Sequence, residues 1–427
     1  MRILLLGASG FIGRELFAAL VARGHHVVAA VRRRSSAPPF ASEPPRVVDM
    51  NRALAPRDWL AHLEAIDAVV NCAGVLQATR SQSIESIHAT APVALFRACQ
   101  ERGVRRVIQI SAISADREAG TAYALTKLAA DDELRSMPLE WTVLRPSLVI
   151  ARGAYGGTAL LRGVAALPFA MPVPGDGTQS FQPVHVDDLA RVVALALETD
   201  RLVRTTLDVV GPETVTLRTI LEDYRRWLGS APAPAVRVPR WASRLAAWAG
   251  DRFGGTLNST ALAQLEHGNT GDTAAFERAT GVAARGWKES LAREPAHTQD
   301  RWHARLYFLR PLLRYSLAFV WLASAIAGAF SLRSWGGLLA AQLPVGVPAA
   351  MLALTAACLV DVAIALLLLN RWRPRLLALL QAIVIAGYSA AATLLWPSLW
   401  AEALAPLAKN IPMLAAALAL GAIEEDR

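Results

Sequence analysis

The feature that most restricts the fold of this chain is the scarcity of charge between residues 315 and 423. Seven charged side chains fall in that stretch, whereas charges occur at ordinary density before it. Four apolar segments there each approach the ~20 residues that a membrane-spanning helix needs. They are residues 313–332, 347–369, 376–396 and 403–423. The sequence therefore predicts a soluble region followed by an all-α bundle of four transmembrane helices.

The rest of the composition agrees with this division. Of the 427 residues 54% are hydrophobic, and the apolar excess lies in the C-terminal part. We predict a soluble domain over 1–295, a basic juxtamembrane linker over 296–311 and a membrane domain over 312–427. The net charge of +9 comes from scattered cations, many of which flank the apolar segments, so it does not indicate nucleic-acid binding. The three cysteines lack the spacing of metal ligands, and we predict no metal site.

Arginines are distributed unevenly around the four apolar segments. They cluster before the first segment and between the second and third, while the opposite loops hold one arginine and one acid. The clustered residues are Arg301, Arg305, Arg310, Arg314, Arg371, Arg373 and Arg375. Because cytoplasmic loops carry the excess of positive charge, the pattern predicts a multi-pass membrane protein with both termini in the cytoplasm.

Three polar residues lie inside the predicted spans, where they are costly. Asp361 falls in the second segment, and Lys409 and Asn410 fall in the fourth. Charged side chains in spans usually face the bundle interior and mark a site. We predict that Lys409 pairs with Asp361 and that Asn410 completes a polar pocket for a lipid-soluble ligand. The alternative is that Lys409 extends its ammonium to the outer interface.

Three glycines in a Gly-x-x-Gly-x-x-Gly spacing follow a short apolar run at the N-terminus. Glycine lets the backbone turn tightly beside a pyrophosphate, and the next helix directs its N-terminal N–H groups at that anion. The residues predicted to hold the pyrophosphate are Gly7, Ser9, Gly10, Phe11, Ile12 and Gly13. Between a strand and an amphipathic helix, this motif is typical of a dinucleotide-binding fold.

The end of the second predicted strand distinguishes between the two nicotinamide cofactors. NAD sites usually place an acid there to bond the ribose 2′-hydroxyl, but this chain has Arg32, Arg33 and Arg34. Guanidinium groups suit the 2′-phosphate of NADP, with NAD the less favoured cofactor; the alternative is a solvated basic loop. Strand-like and helical segments continue to alternate, which predicts an α/β Rossmann-like doubly wound parallel sheet.

Candidate catalytic residues lie in the segment "SAISADREAGTAYALTKL". Tyr123 and Lys127 are four residues apart and project from one face of a helix. Ser111 and Ser114 follow a strand, where open α/β sheets bind ligands. An ammonium beside the tyrosine would lower its pKa, and only three of the 44 basic residues are lysines, so this lysine points to a need for a titratable cation. The alternative is a surface helix with an incidental Tyr–Lys pair.

The motifs LGASGFIG, VNCAG, YALTK and LRPS resemble the short-chain dehydrogenase/reductase superfamily. SFQPVHVDDLARVVALALE and LDVVGPETVTLRTIL resemble its atypical branch, which contains the accessory NAD(P)H-binding subunit of respiratory complex I. The likeness covers about residues 1–295 and implies a small substrate lobe after the sheet. It also implies that Asp49 lies near the adenine and that Ala73 and Gly74 contact the cofactor.

The same resemblance implies catalytic roles. Tyr123 would be the proton donor and Lys127 would bond the ribose. Ser111 or Ser114 would lie beside the substrate carbonyl. His88 stands where many relatives carry the asparagine of the catalytic tetrad, and the branch includes members that bind cofactor without known turnover.

The segment WPSLWAEALAPLAKNIPMLAAALALGAIEE and the order of spans resemble the DoxX-like family of four-helix membrane proteins, over about residues 306–427. That likeness implies inner-membrane placement. The two halves together predict a membrane-anchored NADP(H)-dependent oxidoreductase that acts on a lipid-soluble carbonyl, quinone or isoprenoid-type substrate. The alternative is a non-catalytic NAD(P)H-binding regulatory or assembly protein of the inner membrane. The expected partners are a small lipid-soluble molecule and membrane lipid, and the oligomeric state is left open.

Overall fold

A computed structural model describes residues 1–39, 41–78, 82–253, 255, 257–403 and 405–424. The chain forms two compact units, Met1–Ala304 and Arg305–Arg427. The first unit contains all the strands of the described chain, and the second unit is helical.

The elements follow one another as alternating strands and helices, then helices alone. The strands are β1 (Arg2–Leu6), β2 (His26–Val31), β3 (Arg46–Val47), β4 (Ala68–Asn71), β5 (Arg106–Ile110), β6 (Glu140–Pro146), β7 (Val149–Ile150), β8 (Met171–Pro174), β9 (Ser180–Phe181), β10 (Val184–His185), β11 (Thr205–Val209), β12 (Val215–Thr216) and β13 (Ala235–Val238). The helices are α1 (Phe11–Ala22), α2 (Ala91–Arg102), α3 (Ala122–Ser136), α4 (Gly157–Ala165), α5 (Val186–Glu198), α6 (Leu217–Trp227), α7 (Arg240–Phe253), α8 (Ser259–His267), α9 (Thr273–Thr280), α10 (Trp287–Arg293), α11 (Thr298–Phe330), α12 (Leu332–Gln342), α13 (Val347–Leu369), α14 (Pro374–Leu395) and α15 (Asn410–Ile423). A π-helical turn, Ser86–Thr90, leads directly into α2.

Seven strands form one parallel sheet in the order β11-β6-β5-β4-β1-β2-β3. Strands of such a sheet are buried on both faces, which is why β1 and β2 are continuously apolar after their first residues, Arg2 and His26, rather than alternating. The strand order reverses between β1 and β4, and open α/β sheets bind ligands outside the carboxyl ends of the strands at that point. The predicted doubly wound sheet is confirmed.

Helices cover both faces of the sheet. On one face, α1 and α5 pack through Leu16, Leu20 and Leu189. On the other face, α2 and α3 pack through Phe96 and Leu134. All five side chains are fully buried, and each such burial contributes about 1.5–3 kcal/mol to stability. This core holds the carboxyl edge of the sheet in place.

A smaller lobe follows β6 and contains three two-stranded sheets, β7 with β10, β8 with β13, and β9 with β12. Its core includes Tyr224 and Trp287, whose rings meet edge to face at 5.1 Å. The indole N–H of Trp287 donates to Asp223 at 2.7 Å, so this buried polar group is paired. The lobe lies in the part of the sequence where the resemblance implies substrate binding.

Three helices are long and apolar enough to cross a membrane. They are α11 with 33 residues, α13 with 23 and α14 with 22, and they contain or overlap the predicted segments 313–332, 347–369 and 376–396. No other helix of the described residues reaches that length. An additional helix, α12, occupies the loop that the sequence places between the first and second spans.

The helix predicted over 403–423 is shorter in the structure, where it begins only at Asn410. Helix α15 has only 14 residues, about 21 Å at 1.5 Å per residue, whereas the hydrocarbon layer is about 30 Å thick. Proline lacks a backbone N–H and fits best in the first turn of a helix, where no hydrogen bond is lost. Pro412 is accordingly the third residue of α15, and the residues just before Asn410 form turns.

Helix α15 nevertheless packs with the three long helices into one bundle. A common apolar cluster joins Trp321 of α11, Ile364 of α13, Leu377 of α14 and Leu420 of α15. Gly421 lets α15 approach α14, because a Cβ there would lie 2.4 Å from the Ala378 Cβ. The four-helix bundle is therefore confirmed as a packing arrangement, with three helices of membrane-spanning length.

A buried ion pair joins Arg314 of α11 to Glu424, the residue directly after α15. The Arg314 guanidinium donates to the Glu424 carboxylate, and each side chain is only 8% exposed. The C-terminal end of α15 therefore lies beside the part of α11 that contains Arg314. At another point of the bundle, Trp335 of α12 and Trp396, just after α14, meet edge to face at 5.5 Å.

Candidate functional site

The turn between β1 and α1 has a geometry that only glycine permits. Gly7 has φ of +74°, and a Cβ there would lie 2.8 Å from the backbone nitrogen of Ala73. A Cβ at Gly13 would lie 2.0 Å from the Gly7 carbonyl oxygen. The Gly10 N–H closes the turn by donating to that same oxygen at 2.8 Å. The three glycines therefore form a backbone cradle that any larger side chain would fill.

The first turn of α1 is open toward this cradle. Its N-cap is Gly10, which has no side chain to bond the free N–H groups of Phe11 and Ile12. Unpaired N–H groups and the positive end of the helix dipole favour an anion at such a position. The cradle and the open helix end fit the pyrophosphate of a dinucleotide. Ser9 lies in the same turn and is half-buried.

The residues predicted at the adenosine end lie on the surface beside β2 and β3. Arg32, Arg33 and Arg34 are exposed directly after β2. Asp49 is also exposed, but its carboxylate accepts hydrogen bonds from the backbone N–H and the side-chain amide of Asn51, at 3.0 and 3.1 Å. Asp49 therefore holds its own turn together, next to the position predicted for the adenine.

The loop after β4 is held by His88 from the π-helical turn. The Val75 N–H donates to His88 Nε2 at 3.0 Å, so the ring proton is on Nδ1, which lies 3.2 Å from the Thr126 hydroxyl. Burial, and then the charge of Lys127, lower the pKa of His88 to about 2, so the ring is neutral. His88 thus links the loop of Ala73 and Gly74 to helix α3. Turns of this rare type are frequent at functional sites.

Helix α3 carries Tyr123 and Lys127 on one face, at the carboxyl end of β5. The hydroxyl of Thr121 caps the helix by accepting the Ala124 N–H at 3.1 Å. Lys127 Nζ donates to the Ile110 carbonyl at 3.1 Å and lies 5.7 Å from the centre of the Tyr123 ring. The structure therefore brings together the tyrosine, the lysine and the end of the strand.

The ammonium of Lys127 also lies near the cofactor loop. A Cβ at Gly74 would be 3.7 Å from Lys127 Nζ and 3.5 Å from His88 Nε2. The His88 ring packs edge to face on Tyr123, with 5.2 Å between the centroids. Glycine at position 74 thus leaves space beside the Lys127 cation.

The prediction that Lys127 lowers the pKa of Tyr123 is wrong for this structure. Burial, with a smaller contribution from the Asp131 carboxylate, raises the pKa of Tyr123 to about 12. The ammonium is directed at the Ile110 carbonyl and lies over the ring rather than at the hydroxyl. Burial also lowers the pKa of Lys127 below its usual range. At neutral pH Tyr123 is therefore a protonated phenol that can act as an acid.

The two candidate serines have different surroundings. Ser111 follows β5 directly, is 4% exposed, and its hydroxyl donates to the Asp131 carboxylate. Ser114 is 2% exposed and lies in the turn after that strand. Because the Ser111 hydroxyl already donates its proton to Asp131, it is not available to donate to a ligand.

Asp131 was not among the sequence candidates, although the spacing contains a signal for it. It lies four residues after Lys127, as Lys127 lies four after Tyr123, so the same helical face carries all three. Asp131 is fully buried, and its Oδ1 has no hydrogen-bond partner. Burial raises its pKa to about 6, although Ser111 and Lys127 oppose that shift.

Helix α8 supplies contacts to the site that sequence reasoning also missed. The Gln264 side-chain amide donates to the hydroxyl of Thr121, the cap of α3, at 3.0 Å. His267 Nε2 lies 3.0 Å from the Asp116 carboxylate in the turn after β5. Both contacts join residues more than 140 positions apart in the chain, and short motifs carry no signal for such contacts.

Of the polar residues predicted in the membrane half, Asp361 and Asn410 bond adjacent residues of α14, whereas Lys409 does not pair with Asp361. Asp361 is 4% exposed and accepts a hydrogen bond from the Tyr388 hydroxyl at 3.1 Å. Asn410 donates to the Ser389 hydroxyl at 2.9 Å. Lys409 is exposed at the N-cap of α15, and no ion pair joins these two described residues, Lys409 and Asp361. The predicted pair is wrong, because the chain turns at Lys409 instead of continuing as a helix.

Comparison with known families agrees with the division of the chain into a first unit with the parallel sheet and a second, helical unit. The family described as NAD(P)H-binding matches residues 7–200, and the DoxX-like family matches residues 318–418. A relative from Streptomyces sp, 3-diazoavenalumate denitrifying reductase, is 31% identical over 284 residues, which cover 58% of this chain and 88% of that protein. This chain belongs to the NAD(P)H-binding family. It carries in addition a DoxX-like domain, which with the three apolar helices associates it with a membrane.

Two further relatives each match about half of this NAD(P)H-binding protein. NADH dehydrogenase [ubiquinone] 1 alpha subcomplex subunit 9 of Arabidopsis thaliana is 29% identical over 224 residues, 51% of this chain and 55% of that protein. Ceramide reductase of Caulobacter vibrioides is 24% identical over 237 residues, 56% of this chain and 73% of that protein. The chain thus spans little more than half of its Arabidopsis relative. The resemblance to the complex I subunit is confirmed.

A solved structure supports the fold. MoeE5 in complex with UDP-glucose and NAD is 23% identical, covers 71% of this chain and 99% of its own, and superposes with a TM-score of 0.55. At this identity the likeness shows the fold alone. The first unit therefore has a Rossmann fold.

Proposed function

We propose that this protein is a membrane-anchored NADPH-dependent reductase of a lipid-soluble carbonyl compound, a class that includes quinones and isoprenoid carbonyls. The observation that carries the proposal is the meeting of Tyr123, Lys127 and Gly74 at the carboxyl end of β5. The glycine cradle lies at the same edge of the sheet, at the end of β1. A module that only binds a nucleotide has no need of a phenol at that place.

The residues account for the proton that a carbonyl reduction requires. The bound nicotinamide would supply a hydride to the carbonyl carbon. Tyr123, protonated at neutral pH, would donate its hydroxyl proton to the carbonyl oxygen, so that an alcohol forms and a tyrosinate remains. The Lys127 ammonium, above the ring face, would stabilise that tyrosinate and bond the cofactor ribose. The hydroxyl of Ser114 would orient the carbonyl oxygen.

Arg32 and Arg33 support NADP over NAD. Both are exposed directly after β2, at the position where NAD-dependent sites usually have an acid. A guanidinium can make two parallel, charge-assisted hydrogen bonds to a phosphate, which the ribose hydroxyl of NAD cannot accept in the same way. We therefore infer that the 2′-phosphate is recognised by these arginines.

Two observations support a lipid-soluble substrate. The chain carries three helices of membrane-spanning length in addition to its Rossmann unit, and one relative is a ceramide reductase. In the helical unit, buried Asp361 with Tyr388 and the Asn410–Ser389 bond place polar groups on α14 among apolar neighbours. These groups would serve as polar contacts for the head group of a lipid-soluble molecule. Membrane lipid is thus the surrounding partner.

We further propose an inner-membrane location with both termini in the cytoplasm. The Arg314–Glu424 ion pair supports an even number of crossings, because it brings the end of α15 to the part of α11 where the arginine cluster lies. The turns before α15 would complete the fourth crossing that the helix alone is too short to make. The arginine clusters would then lie on the cytoplasmic side, as positive residues usually do.

One observation favours a non-catalytic alternative, a cofactor-binding regulatory or assembly protein. Ser111 is bonded to Asp131 and is therefore not free to hold a carbonyl oxygen. The Arabidopsis relative is moreover named as a subunit of a larger complex. In such a protein NADPH would still bind, but removing the Tyr123 hydroxyl would have no consequence.

The experiment compares Tyr123→Phe with Tyr224→Phe in the full chain. Each variant loses one phenolic hydroxyl, but Tyr224 lies in the apolar cluster of the small lobe. Consumption of NADPH is measured with membrane lipid extract and with water-soluble carbonyls as substrates. We expect turnover with the lipid extract, lost in Tyr123→Phe and kept in Tyr224→Phe, with NADPH binding unchanged in both. NADPH binding without turnover on any extract would instead support the regulatory alternative.

A further inference from the structure

Helix α7 of the small lobe carries an exposed apolar face. Trp241, Leu245 and Trp248 are 70%, 57% and 61% exposed. Their spacing of four and three residues puts all three on one side of the helix. The other side, with Ser243 and Ala247, is buried against the unit. Three large apolar side chains thus point away from the core on a single helix.

The helix is held firmly in this orientation. Gly250 packs so tightly that a Cβ there would lie 1.7 Å from the Leu257 carbonyl oxygen. The Asp251 carboxylate accepts the Ser259 N–H at 3.1 Å and so ties the end of α7 to the start of α8. Because only small residues fit on the inner side, α7 cannot roll to bury its tryptophans without losing these contacts.

The exposed face is bordered by positive charge. Four exposed arginines lie on α7 or just before it: Arg237, Arg240, Arg244 and Arg252. The acid of the helix, Asp251, is engaged with Ser259 through both carboxylate oxygens. An apolar face of tryptophan and leucine beside arginines is the composition of helices that lie in a membrane interface. Tryptophan in particular prefers the level of the lipid head groups.

We propose that α7 is an interfacial helix, which inserts Trp241, Leu245 and Trp248 at the boundary between head groups and acyl chains of an anionic bilayer. The arginines at its border would bind the lipid phosphates. The chain also carries helices of membrane-spanning length, so the first unit is part of a chain that is itself tethered to a bilayer. A protein partner for this face would need an apolar groove surrounded by acidic side chains. An anionic bilayer offers negatively charged phosphates and an apolar interior over its whole surface. The inference does not depend on the proposed reaction.

The test uses the full chain in nanodiscs that contain phosphatidylglycerol. A cysteine is introduced at Leu245 and labelled with an environment-sensitive fluorophore, and labelling of the unaltered chain sets the background from its own cysteines. The matched control is Val21→Cys on α1, an apolar residue that is 45% exposed on the same unit. Quenching by spin-labelled lipids reports contact with lipid, and quenching by iodide reports contact with water. Variants are compared only where thermal unfolding matches that of the unaltered chain, and Trp241→Cys serves as a second reporter.

We expect the label at position 245 to be quenched several-fold more by spin-labelled lipid than the label at position 21, and several-fold less by iodide. An interfacial helix sits roughly 5–10 Å into the boundary, so lipids labelled near the head group should quench most. The double substitution Arg240→Glu with Arg244→Glu should reduce the lipid quenching. Arg57→Glu with Arg102→Glu, two exposed arginines elsewhere on the unit, should not.

Two outcomes would overturn the proposal. A label at position 245 that is quenched by iodide as strongly as the control would show a face exposed to water. A label that is shielded from iodide but not quenched by lipid would show that protein covers the face, from the membrane domain or from a second copy of the chain.

Discussion

Gly13→Ala should damage both the stability of the Rossmann unit and its affinity for NADPH. The new Cβ would lie 2.0 Å from the Gly7 oxygen, 2.7 Å from the Gly7 carbonyl carbon and 2.9 Å from Ala8 Cα. All three atoms belong to the backbone, so no side chain can rotate away. An ordinary contact begins at about 3.4 Å, so α1 must move by about 1.4 Å from the turn, and overpacking of this kind costs about 1–3 kcal/mol.

The expected size of the effect follows from two opposing contributions. The steric cost lies near the upper end of the range for overpacking, about 3 kcal/mol. Replacing glycine by alanine regains about 1 kcal/mol through the higher helix propensity of alanine. The net loss of about 2 kcal/mol corresponds to a fall in melting temperature of about 3 °C, because the unit Met1–Ala304 is large and the entropy of unfolding grows with chain length. Displacement of α1 also removes at least one charge-assisted hydrogen bond to the pyrophosphate, about 1.5–3 kcal/mol, or roughly 10–100-fold in Kd.

The assay is thermal unfolding and NADPH titration of the full chain in detergent. Gly157→Ala is the matched control, because Gly157 begins helix α4 and a Cβ there would meet nothing within 4 Å. Gly157→Ala should keep the wild-type melting temperature and the wild-type Kd for NADPH, or become slightly more stable. If Gly13→Ala binds NADPH with wild-type affinity and melts at the wild-type temperature, the close approach of α1 to the turn is not what forms the cofactor site.

Three further predictions concern charged groups. Replacing Arg32 and Arg33 by alanine should weaken NADPH binding about 10–100-fold while NADH binding changes little, because only the bonds to the 2′-phosphate are lost; an equal loss for both cofactors in fluorescence titration would contradict this. Burial raises the pKa of Asp131 from 3.8 to about 6, so the folded state holds a proton that the unfolded state releases, and stability should fall as the pH rises from about 4 to about 6. Relative to Asp131→Asn, which lacks this titration, the wild type should lose roughly 3 kcal/mol across that window in unfolding experiments, and parallel pH profiles would refute it. Arg314→Met and Glu424→Leu should each destabilise the helical unit by about 3–5 kcal/mol, since each strands a buried charge, and the double variant should recover much of the loss; additive losses would mean that the two charges are not paired.

Features that depend on neighbours in the chain could be predicted from the sequence. The glycine spacing at residues 7, 10 and 13 encodes a turn and a helix start, and the structure has that turn with φ of +74° at Gly7. The four-residue separation of Tyr123 and Lys127 puts both on one helical face in the same way. Their placement is observed, while their catalytic roles stay a prediction until turnover is measured.

Features that depend on distant parts of the chain could not be predicted. His88 bonds Val75 and Thr126 across two different elements, and the Asp131 bond to Ser111 joins a helix to the end of a strand. The pKa of Tyr123 could not be predicted either, because it depends mainly on burial. Burial is decided by the whole fold, and its effect exceeds that of one nearby ammonium. Spacing rules report which residues share a face, but they do not report how deeply that face is buried.

The membrane half shows why hydropathy alone misplaces an element. The window 403–423 is apolar enough for a span, yet Pro406 and Pro412 restrict helix formation to the part that begins at Asn410. Lys409 consequently sits in a turn, and Asp361 takes its hydrogen bond from Tyr388 instead. Mean hydropathy over twenty residues depends only on composition. It does not register that a single proline lacks a backbone N–H and thereby limits where a helix can begin.

The most direct test of the proposed reaction follows the hydride itself. The full chain in nanodiscs is incubated with membrane lipid extract and NADPH deuterated at both C4 hydrogens, and the lipids are then analysed by mass spectrometry. The account predicts a lipid alcohol or hydroquinone that forms only with active protein. The product should carry deuterium where the label is retained on carbon. It should be absent with Tyr123→Phe, although that variant binds NADPH normally. Formation of the same product at the wild-type rate by Tyr123→Phe, or no reduced lipid with any extract, would contradict it.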